Sequence, residues 1–180
     1  IGIEGVTGST ISIGGPGLDP LRDNADGVSI GATPLLPGAA VVSGSDISID
    51  GLLLTRSGVQ MFGVGSTTTF SNLNIEVTDA TTPAFIANEG GTIIVNGNSS
   101  VINNATAATS FTIQTVGTNI LNTMEFKRVG SGKGSADIAV EFDGLTTGTF
   151  TIADEFTVGG AQGTTANVSD GGVTVTLPTP

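Results

Sequence analysis

The sequence has no cysteine, histidine, tryptophan or tyrosine, and each absence removes a class of chemistry. Without cysteine there is no disulfide framework, thiolate nucleophile, zinc finger or iron–sulfur cluster. Without histidine the usual general base and the commonest transition-metal ligand are gone, which excludes histidine-dependent triads and zinc hydrolases. Cations are scarce: Arg22, Arg56, Lys127, Arg128 and Lys133 stand against 16 acids, for a net charge of -11. A field of that sign repels phosphate backbones and anionic headgroups, so neither nucleic acid nor a membrane surface is expected as a partner. Long apolar runs are missing as well. Leu52–Leu54 and Ile93–Val95 are strand-sized, far from the roughly 18 residues a membrane span requires. The chain opens at Ile1 with neither Met nor a charged, apolar leader, and it reads as a processed, excised or partial product.

What is present is small and apolar. Of 180 residues, 28 are Gly, 38% are hydrophobic and only 12% are charged, so the charged, apolar-poor recipe for disorder does not apply. The length suits one domain, or one domain with an appendage, and is enough to bury a core. A Thr/Gly/Asn-rich, lysine-poor, acidic surface correlates with extracellular and virion-surface proteins.

No window repeats apolar residues at helical spacing, and β-branched residues and Gly occur throughout, so the fold class is all-β. A short alternating strand recurs as Ile11-Ser12-Ile13, Val28-Ser29-Ile30, Ile47-Ser48-Ile49, Thr68-Thr69-Phe70, Ile93-Ile94-Val95 and Phe111-Thr112-Ile113. Successive starts differ by 17, 19, 21, 25 and 18 residues. Ile49–Thr55 superposes on Phe70–Glu76 at an offset of 21, and a further strand follows each, at Val59–Phe62 and at Ala84–Ala87. Gly, Asn, Asp and Ser separate these strands and supply the left-handed or side-chain-capped bends of tight corners. A single coil of that kind cannot bury its inward residues, but stacked coils pair edge to edge at about 4.8 Å and pile equivalent side chains into a continuous core. The six strand openings are therefore expected to be equivalent rungs of one solenoid.

Ile1-Gly2-Ile3-Glu4-Gly5, then Ser9-Thr10-Ile11-Ser12-Ile13-Gly14-Gly15, then Ile47-Ser48-Ile49-Asp50-Gly51-Leu52 resemble early coils of right-handed parallel β-helices of the pectate-lyase and phage-tailspike kind. The resemblance covers residues 1–117 and implies a right-handed parallel β-helix there. Beyond Gly117 the spacing breaks. Residues 118–180 are expected to form a β-rich C-terminal cap or small antiparallel module, because Asp143-Gly144, Ala153-Asp154, Gly159-Gly160 and Asp170-Gly171-Gly172 are short joins of the hairpin type; the alternative is that the same strands are final coils of the solenoid. Gly130–Ser135 reads as a flexible loop, and it lacks the spacing of a phosphate-binding loop. Pro178-Thr179-Pro180 is expected to stop strand pairing.

Candidate sites are few. Asp19, Asp23 and Asp26 surround Arg22 in a loop interrupted by Pro and Gly, an oxygen-rich arrangement that could hold Ca2+, although the twelve-residue calcium pattern is not met and a solvated loop is the plainer reading. Asp46 and Asp50 share a strand face about 13 Å apart, too far for a glycosidase pair. The resemblance implies, for an enzymatic member, Arg or Lys as base with acid-bound Ca2+, but Arg22 and Arg56 match no motif of that kind, and aromatic sugar platforms are absent. The asparagines concentrated between Asn72 and Asn104 fit corner positions and stacked ladders better than a sugar site. Lys127, Arg128 and Lys133, on an otherwise anionic body, form a candidate docking patch for an acidic partner or sister subunit.

The expectation is thus a non-enzymatic structural and recognition protein needing no cofactor: a segment of a spike, fibre or appendage on a virion, a cell surface or another extracellular structure. The tailspike resemblance implies a homo-oligomer, a trimer foremost, beside other structural proteins of the same particle, with surface polysaccharide as a ligand. The alternatives are a β-helical polysaccharide lyase or hydrolase and a secreted bacterial adhesin.

Overall fold

A computed structural model describes residues 2–3, 8–13, 21–23, 28–31, 42–78, 81–96, 98–106, 111–132, 139–164, 167–168 and 172–179. Among them every regular element is a strand, and the strands stack as a parallel solenoid whose chain visits three faces in turn. The first face holds β1 (Gly2–Ile3), β4 (Val28–Gly31), β7 (Val59–Phe62), β10 (Phe85–Asn88), β13 (Ile113–Val116), β15 (Val140–Phe142) and β18 (Asn167–Val168), a seven-stranded parallel sheet in chain order. The second holds β2 (Thr10–Ile13), β5 (Val42–Asp50), β8 (Val64–Ser71), β11 (Gly91–Asn96), the first halves of β14 (Asn119–Ser131) and β16 (Thr147–Val158), and β19 (Gly172–Thr176). The third holds β3 (Leu21–Asp23), β6 (Leu52–Leu54), β9 (Asn74–Val77), β12 (Ser100–Asn103) and the second halves of β14 and β16.

Alternation builds the core. On the second face the inward positions form two columns running from coil to coil. One is Ile11, Ile47, Thr68, Ile93, Leu121, Gly148 and Val173; the other is Ile13, Ile49, Phe70, Val95, Met124, Phe150 and Val175. On the first face Val28, Val59, Phe85, Ile113 and Val140 form a column of their own, every member at most 2% exposed. Phenylalanine rings link the faces, with Phe70–Phe85 at 5.8 Å, Phe85–Phe126 at 6.2 Å, Phe126–Phe150 at 6.2 Å and Phe142–Phe150 at 4.9 Å between centroids. Such tilted contacts stabilise beyond the area they bury.

The corners stack too. Gly63 N and Val64 N donate to Asn88 O and Glu89 O of the next coil, and Glu89 N donates to Val116 O of the one after. Gly91, at φ +74°, packs so closely on the preceding coil that a Cβ there would lie 2.3 Å from the carbonyl oxygen of Val64, so this corner requires glycine.

Three sequence expectations are corrected, and the alternative of final coils beyond residue 117 is the one the strands adopt. The six strand openings are not one series: Ile11, Ile47, Thr68 and Ile93 share a column, but Val28 belongs to the first face, where it stacks on Val59, and the Phe111–Ile113 segment enters that same face at Ile113. Alternation is identical on every face, so it marks strands without saying which face they occupy. Beyond residue 117 the strands pair in parallel with the coils before them, β14 on β11 and β12, β15 on β13, β16 on β14 and β19 on β16. Antiparallel pairing among the described residues is confined to Thr157–Val158 with β17 (Ala161–Gln162). Ala153-Asp154, which resembles a hairpin join, lies inside β16, where the strand passes from the second face to the third. Gly130 and Ser131, expected in a loop, are buried in β14, while Lys133 to Ser135 lie outside the described residues.

Candidate functional site

The second face turns an unusual set of side chains outward. In register across the coils lie Thr10, Asp46, Thr67, Thr92, Ile120 and Thr147; beside them lie Ser12, Ser48, Thr69 and Ile94 and, past β14, whose Asn122 and Thr123 form a bulge there, Thr149 and Thr174. Only Asp46 is ionisable in these two columns, on a protein of net charge -11. Where this face leaves the corner, an open groove of about 500 Å³ crosses four coils, its wall formed by Asp46, Thr67, Thr92 and Ile120 and its floor by Ser45 and Ser66. The floor is built by an extra length of chain in β5: Ser43 pairs with Gly65 and Asp46 with Thr67, so two residues of β5 lie opposite one of β8. The floor serines are tied into the coil stack, Ser9 N donating to Ser45 Oγ at 3.2 Å and Ser45 N to Ser66 Oγ at 3.1 Å. Ile120 closes one end and is 50% exposed.

Hydroxyls, glycine backbone and one carboxylate can orient a hydroxyl-rich, uncharged ligand. Among the described lining residues Asp46 is the one ionisable group, and Asp50, four residues on, accepts a 2.8 Å hydrogen bond from Asn72 Nδ2. Among the described residues no three Asp, Glu, His or Cys side chains come together as a metal site.

The calcium candidates Asp19 and Asp26 lie outside the described residues, and Asp23 is described only as backbone of β3. Of the candidate docking patch, Lys127 and Arg128 face the next coil, and Lys133 lies outside the described residues. Lys127 Nζ lies 3.5 Å from Asp154 Oδ2, and Arg128 Nε donates to Glu155 Oε2 at 2.7 Å, all four side chains about half exposed. Arg128 and Glu155 are register partners in β14 and β16, so strand pairing itself brings the opposite charges together. Arg56 is also partnered.

The asparagines behave as corner ladders. Asn72 sits at φ 52°, donates a hydrogen bond from Nδ2 to Asp50 Oδ1 in the coil before, and accepts at Oδ1 from Asn98 N in the coil after at 3.3 Å. Ser71 Oγ donates to Asn96 Oδ1 at 2.6 Å and Ser100 Oγ to Asn74 Oδ1 at 2.8 Å. Asn119 is fully buried, accepting from Gly90 N at 2.7 Å and donating to Thr146 Oγ1 at 3.1 Å. The hydroxyl columns are the part sequence reasoning missed. Thr67, Thr69, Thr147 and Thr149 carried the signal, but only the register between coils shows how they align.

No family model, curated protein or solved structure matches the chain.

Proposed function

We propose that the chain is a non-enzymatic structural and recognition element, a segment of a virion or cell-surface spike, fibre or appendage like the shaft domains of phage tailspikes. One observation carries this reading: three parallel ladders run from coil to coil over interior columns of apolar side chains, with even the corners hydrogen-bonded between coils. A stack with its backbone amides paired on both sides is stiff and resists proteolysis without a cofactor. The sparsely charged hydroxyl face supports surface polysaccharide as its ligand, with hydrogen bonds rather than charge providing recognition. The working form on this reading is a homo-oligomer, a trimer foremost, set among other structural proteins of its particle.

The test is direct. Antibodies against the purified chain label a projection on intact particles or cells in electron micrographs, and light scattering gives a whole multiple of the chain mass. Release of unsaturated uronate or reducing ends from capsular polysaccharide, with or without Ca2+, abolished by Arg56→Ala or Asp50→Asn, overturns the reading in favour of a depolymerase.

A further inference from the structure

The groove on the second face has a direction as well as a chemistry. Its wall residues Asp46, Thr67, Thr92 and Ile120 are register partners on four successive rungs, β5, β8, β11 and β14, so they stand in one line across the coils at about 4.8 Å per step. The corners that lead into the last three of these rungs, at residues 58–67, 84–92 and 111–120, are described throughout. Beside that line Gly65 and Gly91 leave the groove without side chains. At Gly91 none can be added, because a Cβ would meet the carbonyl oxygens of Val64 and Ser66 at 2.3 and 2.5 Å. The trough is thus set by the coil stack itself, and at about 500 Å³ it has the size of a ligand site.

Charge and spacing together narrow what fits. Threonine hydroxyls both donate and accept, and a carboxylate accepts from hydroxyls strongly. No cation is among the described lining residues, and the chain carries a net charge of -11, so an acidic polymer meets repulsion with no compensating pair. A step of about 4.8 Å between rungs is close to the length of one sugar ring in an extended chain. A straight glycan laid across the coils therefore sets one ring on each rung, whereas a helical glycan turns away from the line. We propose that the groove binds an extended, unbranched, uncharged hexose chain running across the coils. Asp46 accepts from ring hydroxyls at one end, Thr67 and Thr92 bond the rings between, and the half-exposed Ile120 covers the C–H face of a ring at the other end. This rests on the recognition reading above and narrows its ligand from surface polysaccharide to one class at one site.

The probes are mannohexaose and cellohexaose for the extended class, maltohexaose for a helical chain and hexagalacturonate for an acidic one. Titrated into isotope-labelled protein, at least one extended probe is expected to shift the amide signals of Thr67, Thr92 and Thr118, the last also lining the groove. That probe is expected to bind roughly tenfold more tightly than maltohexaose or hexagalacturonate. Thr67→Val/Thr92→Val removes two hydroxyls at nearly constant volume from side chains that stay β-branched. With circular dichroism unchanged, it is expected to weaken binding about tenfold. Asp46→Ala is expected to weaken it about threefold or more, and Arg128→Gln, on the third face, to leave it unchanged. No shift at those amides with either extended probe, tighter binding of maltohexaose or hexagalacturonate, or a double variant that binds like the parent overturns the proposal. The shaft reading survives each of those results if the particle label and mass hold, and it falls alone if they fail while the groove still binds.

Discussion

The solenoid closes its coils in two different ways. In the coils built from β5–β6, β8–β9 and β11–β12, the second and third faces are separate short strands joined at a corner, and the corner is held by Asp50, Asn72 and Asn98 bonded from coil to coil. In the next two coils that corner is gone, and β14 and β16 run through both faces as strands of 13 and 12 residues. Register shifts between Leu121 and Met124 and between Phe126 and Arg128 bend the pair instead. The interior changes with the backbone: mainly aliphatic in the early coils, it becomes aromatic where Phe126, Phe142, Phe150 and Phe156 are all buried. On the outside, amide ladders give way to the pairs Lys127–Asp154 and Arg128–Glu155. One cross-section is thus served by local caps over aliphatic packing, or by continuous bulged strands over rings.

The comparison breaks most severely at Phe150, whose ring meets both Phe126 and Phe142. Phe150→Ala removes a fully buried ring from the aromatic coils and is expected to cost about 3–5 kcal/mol, read by urea unfolding. Gly148 comes next: it sits at φ 119°, where a Cβ would lie 2.0 Å from the carbonyl oxygen of Leu121. Gly148→Ala is expected to cost on the order of 1–3 kcal/mol, with the late coils opening first in hydrogen exchange. In the early coils Asn72→Ala removes both ladder bonds and leaves an alanine at positive φ, for a loss of about 1–2 kcal/mol. Asn72→Gly recovers the backbone part of that loss, which separates conformation from hydrogen bonding.

Two smaller effects sharpen the contrast. Thr68 is the polar member of an otherwise apolar column, fully buried with its Oγ1 unpartnered. Thr68→Val is expected to stabilise the early coils by about 1 kcal/mol, because it removes a desolvated hydroxyl at nearly constant volume. Arg128→Gln breaks a half-exposed ion pair and is expected to change stability by at most about 0.5 kcal/mol. A larger loss would mean that charge, and not the continuous strand, holds the late coils together.

Legibility followed the same division. In the early coils the offset of 21 between Ile49–Thr55 and Phe70–Glu76 is the true register, since Ile49 pairs with Phe70 and Leu53 with Asn74. It could be read because Gly51 and Asn72 punctuate equivalent corners. In the late coils no Gly or Asn marks the passage between faces, so Thr149–Ile152 and Glu155–Val158 look like separate strands of a hairpin although both lie in β16. Leu121, the column's fifth member, was hidden because the repeat there has stretched to 28 residues from Ile93. Lys127 and Arg128 stand out in the sequence as a cluster, but their acids lie 27 residues further on, a distance that means nothing until the coil length is known. The hydroxyl face was invisible for the same reason: serine and threonine occur all along the chain, and only stacking sorts them into columns.

The central claim is that β5, β8, β11, β14, β16 and β19 are successive rungs on one face of a single parallel stack, with Ser48, Thr69, Ile94, Thr149 and Thr174 on all of them but β14. Spin labels at Ser48→Cys/Thr149→Cys and at Ser48→Cys/Thr174→Cys, measured by pulsed dipolar spectroscopy on protein diluted with unlabelled chain, test it most directly. Four and five rung steps predict separations of about 19 and about 24 Å, one strand spacing apart. Separations that fail to grow by one strand spacing from the first pair to the second, as for antiparallel strands or two facing sheets, would contradict the solenoid.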